Sequence, residues 1–105
     1  MYSINNDSKM LSVTANDINM LVPWYLMTSY AYYQMDISLI SDAAYDRLCQ
    51  RLADSWDSVE HVHKNYVDRD ALEQGTGYYL GENVPQLAKS AAVELMYGPK
   101  FSGTA

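Results

Sequence analysis

The 105-residue chain has only one cysteine, Cys49, which excludes an internal disulfide framework and fits a reducing cytosol. Basic residues are scarce as well. Seven Lys and Arg stand against thirteen Asp and Glu, for a net charge of −6, and no run of Lys or Arg occurs. That balance argues against direct binding of nucleic acid through its phosphates. No stretch approaches the roughly 20 apolar residues of a membrane span. The opening segment, MYSINNDSKM, lacks a charged region followed by an apolar one, so no secretory signal is expected. Internal repeats and low-complexity segments are also missing. What remains is 49% apolar residues, enough for one small domain with a modest core.

Aromatic usage is skewed. The chain has ten tyrosines, two tryptophans and one phenylalanine. A tyrosine hydroxyl needs a partner when buried. Many of these rings are therefore expected at a boundary: a core edge, a ligand site or a partner surface.

The periodicity predicts an all-α domain of three to four helices, covering residues 14–98. Residues 1–13 are polar and aperiodic and read as a flexible arm. Residues 99–105 read as a frayed tail. Thr14 to Asp17 forms a weak capping box. From Ile18, Leu21, Val22, Tyr25, Leu26, Ser29, Tyr32 and Tyr33 follow helical spacing. Pro23 predicts either a kink near 14–34 or a second helix starting there. Ser41 is a good N-cap for a helix to about Ser55, with Asp42 in its first turn and Ala44, Leu48 and Leu52 on the core stripe. Residues 57–67 read as loop. Asp68 caps a short helix through Glu73, and Gly75 ends it. Residues 75–83 are turn-rich, with room for at most a short strand pair around Tyr78–Leu80. Pro85 opens a last helix. Short connections predict nearly antiparallel neighbours.

The densest chemistry lies between Tyr30 and Leu52. Asp42 and Asp46 are four residues apart on one helix face, with Tyr45 beside them. Like charges at that spacing repel by a few tenths of a kcal/mol. Tyr30, Tyr32 and Tyr33 come off the preceding helix. Rings that stack and carboxylates that accept from hydroxyls could seat a flat cationic or hydroxyl-bearing ligand. The plainer alternative is that Asp42 caps, Asp46 makes a surface ion pair and the tyrosines cover the core.

In this stretch, Tyr30-Ala31-Tyr32-Tyr33-Gln34-Met35-Asp36 is followed by Ser41-Asp42-Ala43-Ala44-Tyr45-Asp46-Arg47-Leu48, then Leu52. The pattern resembles the N-terminal helical (Ia) subdomain of bacterial NAD+-dependent DNA ligases, with the motif in residues 24–56. The resemblance implies a helical fold and a site that clamps the nicotinamide mononucleotide half of NAD+. It implies ligand contacts by Tyr32, Tyr33, Asp42, Tyr45 and Asp46, with tyrosines on the nicotinamide and aspartates on the ribose. Tyr33 stands where the family commonly has His, and a neutral phenol is a poorer phosphate partner. Together with Trp56, the histidine segment and a terminal Gly-rich stretch, the motif is similar to small stand-alone ligase-like proteins of bacteriophages. A host-cytoplasmic location would follow.

A ligase also needs a Lys-x-Asp-Gly motif to carry the AMP. Lys9, Lys64, Lys89 and Lys100 are the lysines, and none begins one. This stretch is therefore not expected to be a ligase by itself. The expected function is a ligase-like binding protein for nicotinamide mononucleotide or NAD+, serving a ligase core on another chain. The alternative is an interaction factor that kept the fold, lost the nucleotide and binds or inhibits a host or virion protein, with Tyr78 and Tyr79 as a possible partner surface. Glu60-His61-Val62-His63 is too sparse a donor set to predict a metal. Cys49, between Leu48 and Leu52 in spacing, reads as a buried structural thiol.

Overall fold

The computed structural model describes residues 2, 3, 5–81 and 83–97. The expected frayed tail at 99–105 lies outside them. Five α-helices occur among the described residues: α1 (Asp7–Asn16), α2 (Leu21–Gln34), α3 (Asp42–Asp54), α4 (Arg69–Glu73) and α5 (Gln86–Tyr97). Two-residue strands β1 (Tyr2–Ser3) and β2 (Ile37–Ser38) pair in parallel. The protein is a small all-α domain, with α2 packed against both α3 and α5, and α3 against α4.

Helix α2 is apolar around most of its circumference and forms the centre of the core. Leu21, Val22, Tyr25, Leu26 and Ala31 are fully buried. A helix apolar on all sides needs neighbours on all sides, and α3 and α5 supply two of them. Pro23 falls in its first turn, where the missing N–H has no intrahelical partner to lose. A 3-10 turn, Ile18–Met20, leads into it, and Asp17 accepts from the Asn19 N–H at 3.0 Å. Asp17 therefore caps this turn rather than completing a box with Thr14.

The expected arm at 1–13 is corrected. Residues 7–13 belong to α1, and Met10 is buried. Polar contacts fix α1 to distant chain. Asn6 donates its backbone N–H and its side-chain Nδ2 to the Leu39 carbonyl. Asp7 accepts from the Ser41 backbone N–H at 2.8 Å and from the Ser41 hydroxyl at 2.7 Å. At the other end, Arg51 donates from Nη1 to Thr14 Oγ1 at 3.0 Å. Thr14 is thus a buried mid-helix residue, its hydroxyl donating to the Met10 carbonyl, and not a helix start. The short strand pair also lies elsewhere than expected. Tyr78–Leu80 is a 3-10 turn, and β2 pairs with β1.

The path from α2 to α3 sets up the site. Asp36 adopts φ +58°, the left-handed conformation that ends a helix. Aspartate tolerates it better than most residues because its short side chain bonds locally. The chain then reverses through β2 to Ser41, whose hydroxyl accepts from the Ala44 N–H at 3.1 Å and caps α3. Helix α3 buries Ala44, Leu48, Cys49 and Leu52 and exposes Asp42, Asp46, Arg47 and Gln50. Its capping and core stripe follow the sequence pattern.

Helix α4 ends as the glycine predicts. Gly75 has φ +70°, its N–H bonds the Leu72 carbonyl, and the Thr76 N–H bonds the Ala71 carbonyl. These are the paired bonds of a Schellman motif. The motif turns Thr76 and Gly77 back onto α2 and α3. Pro85 precedes α5, which lays the small residues Ala88 and Ala92 into the core beside Met96. No buried side-chain nitrogen or oxygen among the described residues lacks a hydrogen-bond partner. None of the described helices is long and apolar enough to cross a membrane.

The segment between α3 and α4 has a titratable element. Lys64 donates from Nζ to the Trp56 carbonyl, and its ammonium lies 4.6 Å from the Trp56 ring centre. His61 and His63 have ring centres 5.4 Å apart, and the His63 backbone N–H donates to His61 Nδ1 at 3.0 Å. Burial lowers the His61 pKa below its ordinary 6.5; His63 lowers it further, and Asp17 opposes. Protonating Nδ1 would also remove the acceptor that His63 uses. A folded pKa below the unfolded one means the unfolded chain binds more protons. Stability from this group is therefore full above about pH 6.5 and declines as pH falls through the lowered value. Thermal melts between pH 7.5 and 5.5 are expected to show this loss, and His61→Gln should flatten it. An unchanged slope in the variant would remove His61 as the cause.

Candidate functional site

All five residues singled out by the motif, Tyr32, Tyr33, Asp42, Tyr45 and Asp46, line one pocket of about 180 Å³. Tyr32 and Tyr33 come from the last turn of α2, and the other three from the first two turns of α3. The Asp36 turn and the Ser41 cap bring these two helix ends together. Leu39 and Ile40 add apolar lining, and Gly75 lies at the edge nearest Asp46. Drug-sized ligand pockets run to ~300–1,000 Å³, so this one fits a single ring with part of a sugar, the rest of a larger molecule lying outside.

The rings are held by hydroxyl contacts and by each other. Tyr45 shares a hydrogen bond with Ser29 Oγ at 2.7 Å. Tyr33 shares one with Thr76 Oγ1 at 2.9 Å, and Thr76 Oγ1 also accepts from the Tyr78 N–H. Tyr25, behind the pocket, donates to the Thr76 carbonyl at 2.6 Å. Its ring stacks with Tyr45 at 6.2 Å between centres. Tyr32 and Tyr33 meet edge to face at 4.8 Å, and Tyr33 meets Tyr78 in the same way at 5.8 Å. Tyr78 in turn meets Tyr79 at 5.7 Å. A row of four rings therefore runs from the pocket mouth onto the surface, where Tyr78 and Tyr79 are 66% and 67% exposed. Tyr30, in contrast, turns away from the pocket toward Lys89 of α5.

The phenols beside the core are neutral at any physiological pH. Burial raises the Tyr45 pKa far above the phenol range; Cys49 adds to this and the Ser29 bond opposes it. Tyr25 is raised for the same first reason. Burial pushes the Cys49 thiol up to about 12, with the Tyr45 hydroxyl pulling the other way. Such a thiol is not a nucleophile. No buried base therefore faces the pocket. Its charge comes from Asp42 and Asp46, both exposed at the rim. Tyrosine rings, apolar lining and two rim carboxylates can bind a flat molecule, accept from its hydroxyls and attract its positive charge.

Sequence reading missed the residues behind this wall. Gly75-Thr76-Gly77 reads as punctuation, yet Thr76 anchors two tyrosines. A Cβ on Gly77 would meet Ser29 Oγ, with Ser29 Cβ at 2.5 Å and the Tyr45 hydroxyl at 2.9 Å. Two glycines flanking one threonine were the available signal for such a close approach. His61 and His63 sit in a turn, and their segment does not reach the pocket. Among the described residues, no group of three or more His, Cys, Asp or Glu is placed to hold a metal ion. No protein-family model, curated protein or solved structure matches the chain.

Proposed function

We propose that the chain is a binding module for nicotinamide mononucleotide or the matching half of NAD+, serving a ligase core carried on a separate chain. One observation carries this reading: five residues chosen by motif alone, on two helices, line a single pocket with tyrosine rings and carboxylates. The nicotinamide ring would lie against Tyr32, Tyr33 and Tyr45. The ribose hydroxyls would donate to Asp42 and Asp46. The Thr28 and Ser38 hydroxyls that line the pocket donate to the Trp24 and Ile40 carbonyls rather than to a base, which favours recognition over catalysis.

Isothermal titration with nicotinamide mononucleotide and NAD+, and with AMP as control, tests it. Saturable binding of the first two without AMP is expected. Tyr32→Ala and Asp46→Ala, both at exposed positions, should each weaken binding by about fivefold. Tyr45 is a poor choice of variant because its hydroxyl and ring also hold Ser29 and Tyr25. No saturation up to millimolar ligand would sink the proposal. A second reading rests on the exposed row of Tyr32, Tyr78 and Tyr79, a surface suited to a protein partner. On that reading the fold serves a host or virion protein, and the same titration shows no nucleotide binding.

A further inference from the structure

The electrostatics of the pocket are one-sided. It presents two carboxylates and three phenol rings, and none of the residues lining it is Lys, Arg or His. Arg47, next to Asp46 in sequence, is not among them. Arg51 is spent on Thr14. One other feature could attract an anion: the N-terminus of α3, where unpaired backbone N–H groups and the helix dipole favour negative charge. That end is partly taken, and its own side chains make it acidic. Asp7 takes the Ser41 N–H and hydroxyl, Ser41 Oγ takes the Ala44 N–H, and Asp42 sits in the first turn. Among the described residues that line the pocket, a phosphate would meet two carboxylates and no cationic side chain.

An aromatic cation meets the opposite situation. Ring faces carry negative quadrupole charge and attract cations, more strongly where water is partly excluded. The Tyr32, Tyr33 and Tyr45 rings provide such faces, and the two aspartates add net attraction. We infer that the pocket recognises the quaternary pyridinium nucleoside itself and disfavours its 5′-phosphate. This rests on the nicotinamide reading above and specifies which part of that ligand is bound. The positive ring and the ribose diol bind inside, and the phosphate, at about −1.5 to −2 charge, stays outside as a burden. A nucleoside without the phosphate is the better ligand for the isolated chain. Any enzyme working with it must supply the phosphate contacts from its own surface.

Three probes separate the possibilities in one calorimetric series at low and moderate salt: nicotinamide riboside, nicotinamide mononucleotide and the uncharged dihydro form of the riboside. The riboside is expected to bind at least about threefold more tightly than the mononucleotide, with the gap narrowing as salt rises. The dihydro riboside, which matches it in shape but lacks the charge, should bind about tenfold more weakly. Asp42→Asn should reduce both differences while lowering the melting temperature by no more than a few degrees. Equal or tighter binding of the mononucleotide overturns the inference and leaves the nicotinamide reading standing. Equal binding of the dihydro form overturns it too, since shape alone would then suffice. Binding of none of the three removes both readings.

Discussion

Gly77→Ala is expected to destabilise the protein by about 2–3 kcal/mol, a fall in melting temperature of roughly 10–20 °C. The backbone is not the reason, since Gly77 has an ordinary negative φ. The reason is space. The added methyl would overlap Ser29, which is 1% exposed, and crowd the Tyr45 hydroxyl bonded to it. Ser29 lies within α2, so its Cβ cannot shift without moving the central helix. The loop must lift instead, and Thr76 would then lose Tyr25 and Tyr33. Gly81 is the natural control. Nothing lies within 4 Å of a Cβ there, but φ +56° with ψ −129° is a conformation that essentially only glycine adopts, so Gly81→Ala should cost about 1–3 kcal/mol of backbone strain without any crowding. Urea denaturation of both variants makes the comparison. A Gly77→Ala loss below about 1 kcal/mol would mean that the loop does not press on Ser29.

Asp42→Asn combined with Asp46→Asn should leave the fold intact and weaken binding of a cationic nicotinamide nucleoside by tenfold or more. Each carboxylate is exposed, so its attraction for a cation about 4 Å away is near 1 kcal/mol in water. Two such terms amount to about 2 kcal/mol, or roughly thirtyfold. The stability change is smaller because two effects oppose each other. Removing the charge at Asp42 forfeits about 0.3–1 kcal/mol with the helix dipole. Removing the repulsion between Asp42 and Asp46 returns a few tenths. Titration and thermal melting on one preparation separate the two outcomes. Unchanged affinity would show that the carboxylates are rim residues with no part in binding.

The sequence carried the signals that act over one or two turns. The cap at Ser41, the stripe of Ala44, Leu48 and Leu52, and the Asp68-to-Gly75 helix are all such signals, and all are in the structure. The pocket residues were legible for a related reason: Tyr32, Tyr33, Asp42, Tyr45 and Asp46 flank one turn. Helix α1 was not legible. Its buried residues are Met10 and Thr14, too few to give a clear stripe, and what fixes it are polar bonds to Leu39, Ser41 and Arg51. No local pattern announces a partner more than thirty residues away. The loop from Gly75 to Gly77 was misread as mere punctuation for the same reason, because its constraint is the proximity of Ser29 and Tyr45.

The anchoring of α1 also sets an order of events. Asp7 must wait for Ser41, 34 residues later in the chain. At ordinary synthesis rates that interval is about 2–7 s. A ten-residue segment is too short to hold a helix alone in water, so α1 can be helical only transiently in that time. The earlier-made segment thus joins a scaffold built by the later one. The parallel pairing of β1 with β2 follows the same rule, its second strand lying 35 positions downstream. A nascent chain stalled before residue 41 would carry α1 as an unanchored polar tether, and release of the next dozen residues would let it close over Met10.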